Sequence, residues 1–431
     1  MPQIIKLKNY SFLVYGLGST GKSVIRYFKK NKISKYFVWD DNIKLRKNFG
    51  KKKPSNLKES IKKVDFIVLS PGISLKKSKN KKHLIKYKKK IISDIDLLYL
   101  SGKKFKSIVI TGTNGKSTTA KIIEHLLRTN KFKVQLGGNI GTPVLNLNIK
   151  KNSTIIIEAS SFHLSYSKFI VPDYAILLNI SNDHLDWHGS LRDYIKSKFN
   201  LFRLQKKNNY ALVNNALKKN FRAKKFRGKL IPIQYKQYTK IKSKIKNIYL
   251  KSKANDENMS FVFTLAKKLR IKDEVFIKSM KSFLGLPHRY EIFQKSKNVT
   301  FINDSKATSF QAAKFALASC KNIYWILGGL PKDKDKLRLK DLKRNIVKSY
   351  IIGKNINFFK SKLKKNKIEY SISKNLKKSL FDISKDIKLF KNSSNMILLS
   401  PGAASFDQFK NFEERGNEFK KLCRIYAKKF I

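Results

Sequence analysis

The chain has 431 residues, 41% of them hydrophobic, which suits roughly two to four domains, each large enough for its own core. Its two cysteines, Cys320 and Cys423, lie far apart without metal spacing, which excludes a disulfide framework and suits a reducing cytoplasm; no stretch approaches the roughly 20 apolar residues of a membrane span, and the N-terminus lacks a signal-peptide apolar region. The formal charge of +68 would attract polyanions, but the lysines are scattered along the whole chain beside abundant Asn, Ile, Phe and Tyr, a general compositional drift rather than a nucleic-acid face. A cytoplasmic monomer with no specific nucleic-acid partner and no membrane insertion is expected.

Strand-like runs alternate with helical ones, the pattern of parallel α/β domains. The first predicted unit, residues 1–97, has strands at Ser11–Tyr15, Tyr36–Trp39 and Asp65–Leu69. Between the first two stands Gly16-Leu17-Gly18-Ser19-Thr20-Gly21-Lys22-Ser23, which fits both the formal P-loop pattern and the dinucleotide-type G-x-G-x-x-G fingerprint. Asp40 follows the second strand, where an acid can meet a ribose hydroxyl, and Ser70-Pro71-Gly72 follows the third. The strand–loop–helix–strand–Asp order predicts a nucleotide-diphosphate site.

The second predicted unit, residues 98–287, opens on a strand at Lys106–Ile110 and then Thr111-Gly112-Thr113-Asn114-Gly115-Lys116-Ser117-Thr118-Thr119, with a helix over Lys116–Arg128. A glycine-rich turn between a strand and a helix N-terminus cradles phosphate with backbone N–H groups; Lys116 adds a point charge, and Ser117 or Thr118 can hold magnesium. This loop, rather than the upstream one, reads as the ATP site. Further strands are predicted at Thr154–Glu158, Tyr174–Ile180 and Tyr210–Val213. Ligands of open parallel sheets sit beyond the carboxyl ends of the strands, which draws attention to Glu158 as a magnesium ligand, or else a cap or ion-pair partner. On the same ground His184 reads as a metal ligand or phosphate contact, and Gly137-Gly138-Asn139 as an anion contact. Gln234 to Lys253 reads as a surface excursion, Met259–Leu269 as a helix, and Gly285-Leu286-Pro287 as a boundary.

The third unit, residues 288–431, has strands predicted at Val299–Ile302, Tyr324–Leu327, Ser349–Ile352 and Met396–Leu399. The first delivers Asn303-Asp304-Ser305-Lys306-Ala307-Thr308, and the last delivers Ser400-Pro401-Gly402-Ala403-Ala404-Ser405-Phe406-Asp407-Gln408-Phe409, small residues suited to a pocket wall.

Gly112 to Ser117, Asn303 to Thr308, and Ser400 through Gly416 together resemble the Mur ligases, in their D-glutamate-adding branch, over essentially the whole chain. The resemblance implies three domains: a Rossmann-like domain for the UDP substrate, a central P-loop domain and a C-terminal Rossmann-like domain for the amino acid. It also implies ATP-dependent joining of D-glutamate to UDP-N-acetylmuramoyl-L-alanine through an acyl phosphate, in cytoplasmic peptidoglycan precursor synthesis. Gly18, Ser19, Thr20, Asp40, Ser70, Pro71 and Gly72 match positions holding the UDP part, and Asn139 one on its phosphate or sugar side. Gly112, Thr113, Asn114, Gly115, Lys116, Ser117 and Thr118 match the ATP loop, with Ser117 and Glu158 on one magnesium ion. His184 and Lys198 match the ligands of a second, the lysine being carbamylated in the family; Lys116, His184 and Lys198 are the expected catalytic groups. Asn255 and Asn258 resemble adenine contacts, and Arg289, Asp304 and Lys306 further nucleotide contacts. Thr308, Lys332, Ser405 and Phe412 resemble those holding D-glutamate, and Phe406 is a further expected substrate-binding residue. A folylpolyglutamate-synthase-like ligase shares the ATP loop but not the C-terminal motifs, and a nucleic-acid-dependent P-loop ATPase is the alternative from another class.

Overall fold

The computed structural model describes residues 6–251, 253–296, 298–331, 337, 339–389 and 394–426. It contains three sheets in two compact units, Met1–Phe283 and Leu284–Ile431. Among the described residues no helix is long and apolar enough to cross a membrane. Cys320 and Cys423 are both buried and free.

The first unit carries two of the sheets. Strands β1 (Phe12–Tyr15), β2 (Tyr36–Trp39), β3 (Phe66–Leu69) and β4 (Ile91–Ile92) form a parallel sheet in the order β2-β1-β3-β4. Helix Ser19–Lys30 follows β1 and buries Val24, Ile25 and Phe28 against it. The second sheet comprises β5 (Lys106–Thr111), β6 (Val134–Gly138), β7 (Thr154–Glu158), β8 (Tyr174–Leu177), β9 (Tyr210–Asn214) and β10 (Lys229–Ile233). All are parallel, in the order β10-β9-β8-β5-β7-β6. The central strands β5, β7 and β8 are buried on both faces, which is why they read as unbroken apolar runs.

The second unit has one sheet: β11 (Glu291–Ser296), β12 (Val299–Asn303), β13 (Ile323–Gly328), β14 (Ile346–Ile352), β15 (Tyr370–Lys374) and β16 (Asn395–Leu399). Its order is β11-β12-β16-β13-β14-β15, parallel except for the edge strand β11.

Two sequence expectations change. The strand expected to reach Ile180 ends at Leu177, because the chain peels away to bond the phosphate loop: Leu178 N donates to Thr111 O and Asn179 O accepts from Thr113 N. The stretch from Gln234 is not a surface excursion. It holds helices Lys236–Lys242 and Ile248–Lys251, with Tyr238, Ile241, Ile245 and Leu250 buried beneath the lysines.

Candidate active site

The β5 loop lies at the centre of its sheet, and the register β5–β7 sets Ile110 beside Glu158. Helix Lys116–Thr129 starts from Gly115, whose φ of +82° is the left-handed region, and a Cβ there would stand 2.2 Å from Asn258 Oδ1. Asn258 therefore fills the underside of the loop, accepting from Thr119 Oγ1 at 3.2 Å and donating to Asn255 Oδ1 at 3.1 Å. Both asparagines, the expected adenine contacts, are buried, and Asn258 braces the loop while Asn255 holds Asn258. Thr118 is buried and Ser117 half-buried, which favours Ser117 as the hydroxyl available to a ligand.

Two lysines converge on one carbonyl. Lys116 Nζ donates to Gly112 O at 2.9 Å and to Thr113 O at 2.8 Å, and Lys198 Nζ donates to the same Gly112 O at 2.7 Å. Lys198 is only 1% exposed. Burial, and then the neighbouring Lys116 charge, push its ammonium down to about 7. Lys198 comes from helix Leu191–Phe199 and also sits over the Tyr194 ring, at 4.6 Å.

Glu158 ends β7 with 1% exposure. Its Oε1 accepts from Asn139 Nδ2 at 2.9 Å, and its Oε2 is buried with no hydrogen-bond partner. A buried carboxylate oxygen left without a donor is costly, and a cation relieves that cost. Among the described residues no three His, Cys, Asp or Glu side chains form a metal cluster. A magnesium ion here would take Glu158 and the Ser117 hydroxyl, leaving phosphate oxygens and water to complete its shell, as this ion prefers. His184 is exposed, in a left-handed conformation, with Nε2 3.4 Å from Asp183 Oδ2 and its ring against Phe162.

Upstream, Gly18, Ser19, Thr20, Asp40, Ser70, Pro71 and Gly72 line one cleft of about 370 Å³. A Cβ on Gly21 would lie 1.8 Å from Gly16 O, so this turn tolerates no side chain there. Asp40 accepts from Leu17 N at 2.7 Å and Asn42 N at 2.8 Å, so its carboxylate also shapes the glycine loop.

Several functional-looking residues escaped the sequence reading. The segment after Gly72 straps onto the segment carrying His184: Ser74 Oγ donates to Trp187 O at 2.9 Å, and Tyr166 OH to Ile73 O at 2.5 Å. Lys76 Nζ donates to His188 O at 2.6 Å and to Asp193 Oδ2 at 3.0 Å. His188 is buried and bonds Ser161 Oγ at 3.0 Å; burial, then Lys198, then His184 push its imidazolium down to about 4. Beyond β9 a cavity of about 700 Å³ is lined by Asn214, Tyr235, Asp256, Glu257 and Phe261 among others. Glu257 ties it to the phosphate loop, accepting from Asn179 Nδ2, while Asn179 Oδ1 accepts from Asn114 N. Sequence spacing carries no signal for any of these links.

In the second unit, taken by itself, Asp304 lies just past β12 and is turned inward. Its Oδ1 accepts from Tyr290 N at 3.0 Å and its Oδ2 from Ser400 Oγ at 2.7 Å, and burial pushes the carboxyl up to about 7. Lys306 Nζ stands 3.6 Å over the Phe412 ring, at the start of helix Phe412–Tyr426. Arg289 is half-buried and close enough to act electrostatically on Asp304. The Thr308 and Ser405 loops meet where Gly402 N donates to Ala307 O at 2.9 Å; Ser405 is buried, and Phe406 is 70% exposed. Lys332 lies outside the described residues. Arg415, which the sequence reading placed in the Ser400–Gly416 stretch without a role, is 1% exposed and donates to Ser305 Oγ, Ser305 O and Ala403 O, knitting together the loops after β12 and β16.

Residues 110–278 match the Mur ligase middle domain. A UDP-N-acetylmuramoylalanine–D-glutamate ligase of Wolbachia sp. subsp. Brugia malayi is 33% identical, over 99% of this chain and 98% of its own. One of Buchnera aphidicola subsp. Schizaphis graminum is 37% identical, over 96% and 97%. Among solved structures, the MurF ligase of Thermotoga maritima in complex with ADP aligns with a TM-score of 0.55 at 15% identity, covering 98% of this chain and all of that one. The UDP-N-acetylmuramate-alanine ligase MurC of the same organism aligns equally well, at 0.55 over 97% of this chain; at such identity the two share the fold. The chain belongs to the Mur ligase family, in the branch formed by the D-glutamate ligases.

Proposed function

We propose that the chain is an ADP-forming ligase that joins D-glutamate to UDP-N-acetylmuramoyl-L-alanine through an acyl phosphate, in the cytoplasm, for peptidoglycan precursor synthesis. Its three domains divide near residues 97/98 and 287/288. The observation that carries the reading is the meeting of Lys116 and Lys198 on the Gly112 carbonyl, beside a strand end whose Glu158 Oε2 lacks a donor. Two ammonium groups on one acceptor repel, and the buried one sheds its proton near neutrality. A neutral Lys198 amine can add carbon dioxide and release a proton, which turns a repelling cation into an anionic metal ligand.

The Gly112–Ser117 backbone and Lys116 hold the β- and γ-phosphates of ATP. Magnesium, bound by Ser117 and Glu158 and by His184 with carbamylated Lys198, would neutralise charge on the transferring phosphoryl group and the carboxylate it meets. The cavity beyond β9, tied to the loop through Glu257 and Asn179, suits the adenosine. The Gly18–Thr20, Asp40 and Ser70–Gly72 cleft suits the UDP group, and Asn139, which donates to Glu158, suits its phosphate or sugar side. Lys306 and Arg289 supply positive charge for phosphate or carboxylate, and Thr308, Lys332, Ser405, Phe406 and Phe412 take the D-glutamate. Activation by phosphorylation gives the amine of D-glutamate a carbonyl it can attack, once both reactants are held in line.

Phosphate release should require UDP-N-acetylmuramoyl-L-alanine and D-glutamate together. Equal turnover with L-lysine or meso-diaminopimelate in place of D-glutamate would overturn the choice of amino acid.

A further inference from the structure

Glycines at 112 and 115 bracket Thr113 and Asn114, and peptides so bracketed can rotate unless something outside the loop holds them. The holder is Asn179, half-buried and two residues past the end of β8, the strand beside β5. It grips the loop three times. Its backbone O accepts from Thr113 N at 2.9 Å, its Oδ1 accepts from Asn114 N at 2.9 Å, and its Nδ2 donates to Asn114 O at 3.3 Å. Asn114 N is a donor that only Oδ1 can meet, so the amide has one orientation and both Nδ2 hydrogens face acceptors. One goes to Asn114 O and the other to Glu257 Oε2 at 3.3 Å. Glu257 is itself fixed by Asn214 Nδ2, which donates to Oε1 at 2.6 Å.

This clamp decides where the next N–H points. In a planar trans peptide the C=O and N–H groups face opposite ways. Holding Asn114 O against Asn179 therefore turns Gly115 N–H to the other side of the loop. Gly115 N, Ser117 N and Thr118 N meet no acceptor among the described residues, whereas Thr119 N bonds Gly115 O at 2.8 Å. They lead into helix Lys116–Thr129, and such N–H groups at a helix start bind anions. A rotated Asn114–Gly115 peptide would present a carbonyl oxygen there instead and repel phosphate.

We propose that Asn179 is a positioning residue: its amide, oriented by Asn114 N and anchored on Glu257, keeps Gly115 N–H turned toward the phosphates of the bound nucleotide. This rests on the reading of Thr111–Thr119 as the ATP loop. A wild-type chain that fails to bind magnesium–ADP refutes that reading, and the variants below are compared only with a wild type that binds.

Asn179→Ala should weaken magnesium–ADP binding, measured by calorimetry, about tenfold, the scale of two lost hydrogen bonds. AMP, which lacks the β-phosphate, should bind as it does to wild type, since Glu257 keeps its Asn214 bond. A role in folding alone would weaken both ligands alike. Asn179→Asp keeps an oxygen for Asn114 N but turns the other on Asn114 O and Glu257 Oε2, so it should bind ADP more weakly than the alanine variant. Adding Glu257→Gln, whose amide can donate to the new carboxylate while its oxygen keeps the Asn214 bond, should recover part of that loss. This second pair decides the matter if the alanine variant folds poorly. An Asn179→Ala chain that binds ADP as wild type does, equal losses for ADP and AMP, or no recovery on adding Glu257→Gln would each overturn the proposal.

Discussion

Replacing Lys198 by Met should abolish ligation and stabilise the protein at the same time. Lys198 is buried, and its ammonium is pushed down to about 7 from the ordinary 10.5. A drop of that size corresponds to about 5 kcal/mol against holding the charged form in the folded chain. The sign follows from proton counting. Below pH 7 both folded and unfolded chains carry the proton, and the folded chain bears the whole penalty. Between pH 7 and 10.5 the folded chain has released a proton that the unfolded chain still binds, so wild-type stability rises with pH. Methionine bears no penalty at any pH, and the Gly112 carbonyl keeps its bond from Lys116. Urea unfolding in carbon-dioxide-free buffer should therefore find Lys198→Met more stable than wild type by about 3 kcal/mol at pH 6, after roughly 1–2 kcal/mol for the lost hydrogen bond. The gap should close toward pH 10. An equal stability at pH 6, or a gap independent of pH, would refute the reasoning, as would a methionine variant that still ligates.

Gly115→Ala forces a side chain into a φ of +82° and onto Asn258 Oδ1, so ATP affinity measured by calorimetry should fall at least about tenfold. Adding Asn258→Ala should restore only part of it, since the backbone strain remains. Glu158→Gln keeps an oxygen for the Asn139 bond, so its melting temperature should stay within a few degrees of wild type while phosphate release falls about a hundredfold. Extra magnesium should not rescue it. Asp304 is an acid raised to about 7, so the folded chain holds a proton between pH 4 and 7 that the unfolded chain has released. Wild-type stability falls as pH rises through that window, and Asp304→Asn should remove the fall. Urea midpoints at pH 5 and 8 decide it, with the variant gaining relative to wild type at pH 8.

The buried interior strands were legible because nothing but apolar side chains fits between two helical layers: Ile155-Ile156-Ile157 delivers Glu158, and Ile108-Val109-Ile110 delivers the phosphate loop. Among the edge strands β2 was legible too, but three others were not. β10, β11 and β15 are only partly covered, so their lysines and serines dilute the alternation that marks a strand, and Pro232 in β10 is tolerated because that strand pairs on one side only. The helix at Lys236–Lys242 was hidden by its lysines, although Tyr238, Ile241 and Ile245 stand at helical spacing. Within the site, residues at strand ends were legible and those acting through a neighbour were not. Gly115 and Lys116 announce a phosphate loop; that Asn258 supports it from 143 residues away depends on packing that spacing does not encode.

The strap from Ile73 to Lys77 has a practical meaning for anyone exchanging parts between relatives. Its serine, lysine and backbone are bonded to a partner strip running from Tyr166 to Asp193, and Gly189 leaves open the space that Lys76 Nζ occupies. A chimera cut at the junction of the first two sheets would separate these halves and seat a foreign strap against a native strip. The interchangeable piece is therefore discontinuous in sequence: residues 73–77 have to travel with Tyr166 and 184–193, or the donor's Gly18–Thr20 cleft will arrive misaligned with the recipient's Thr111–Thr119 loop.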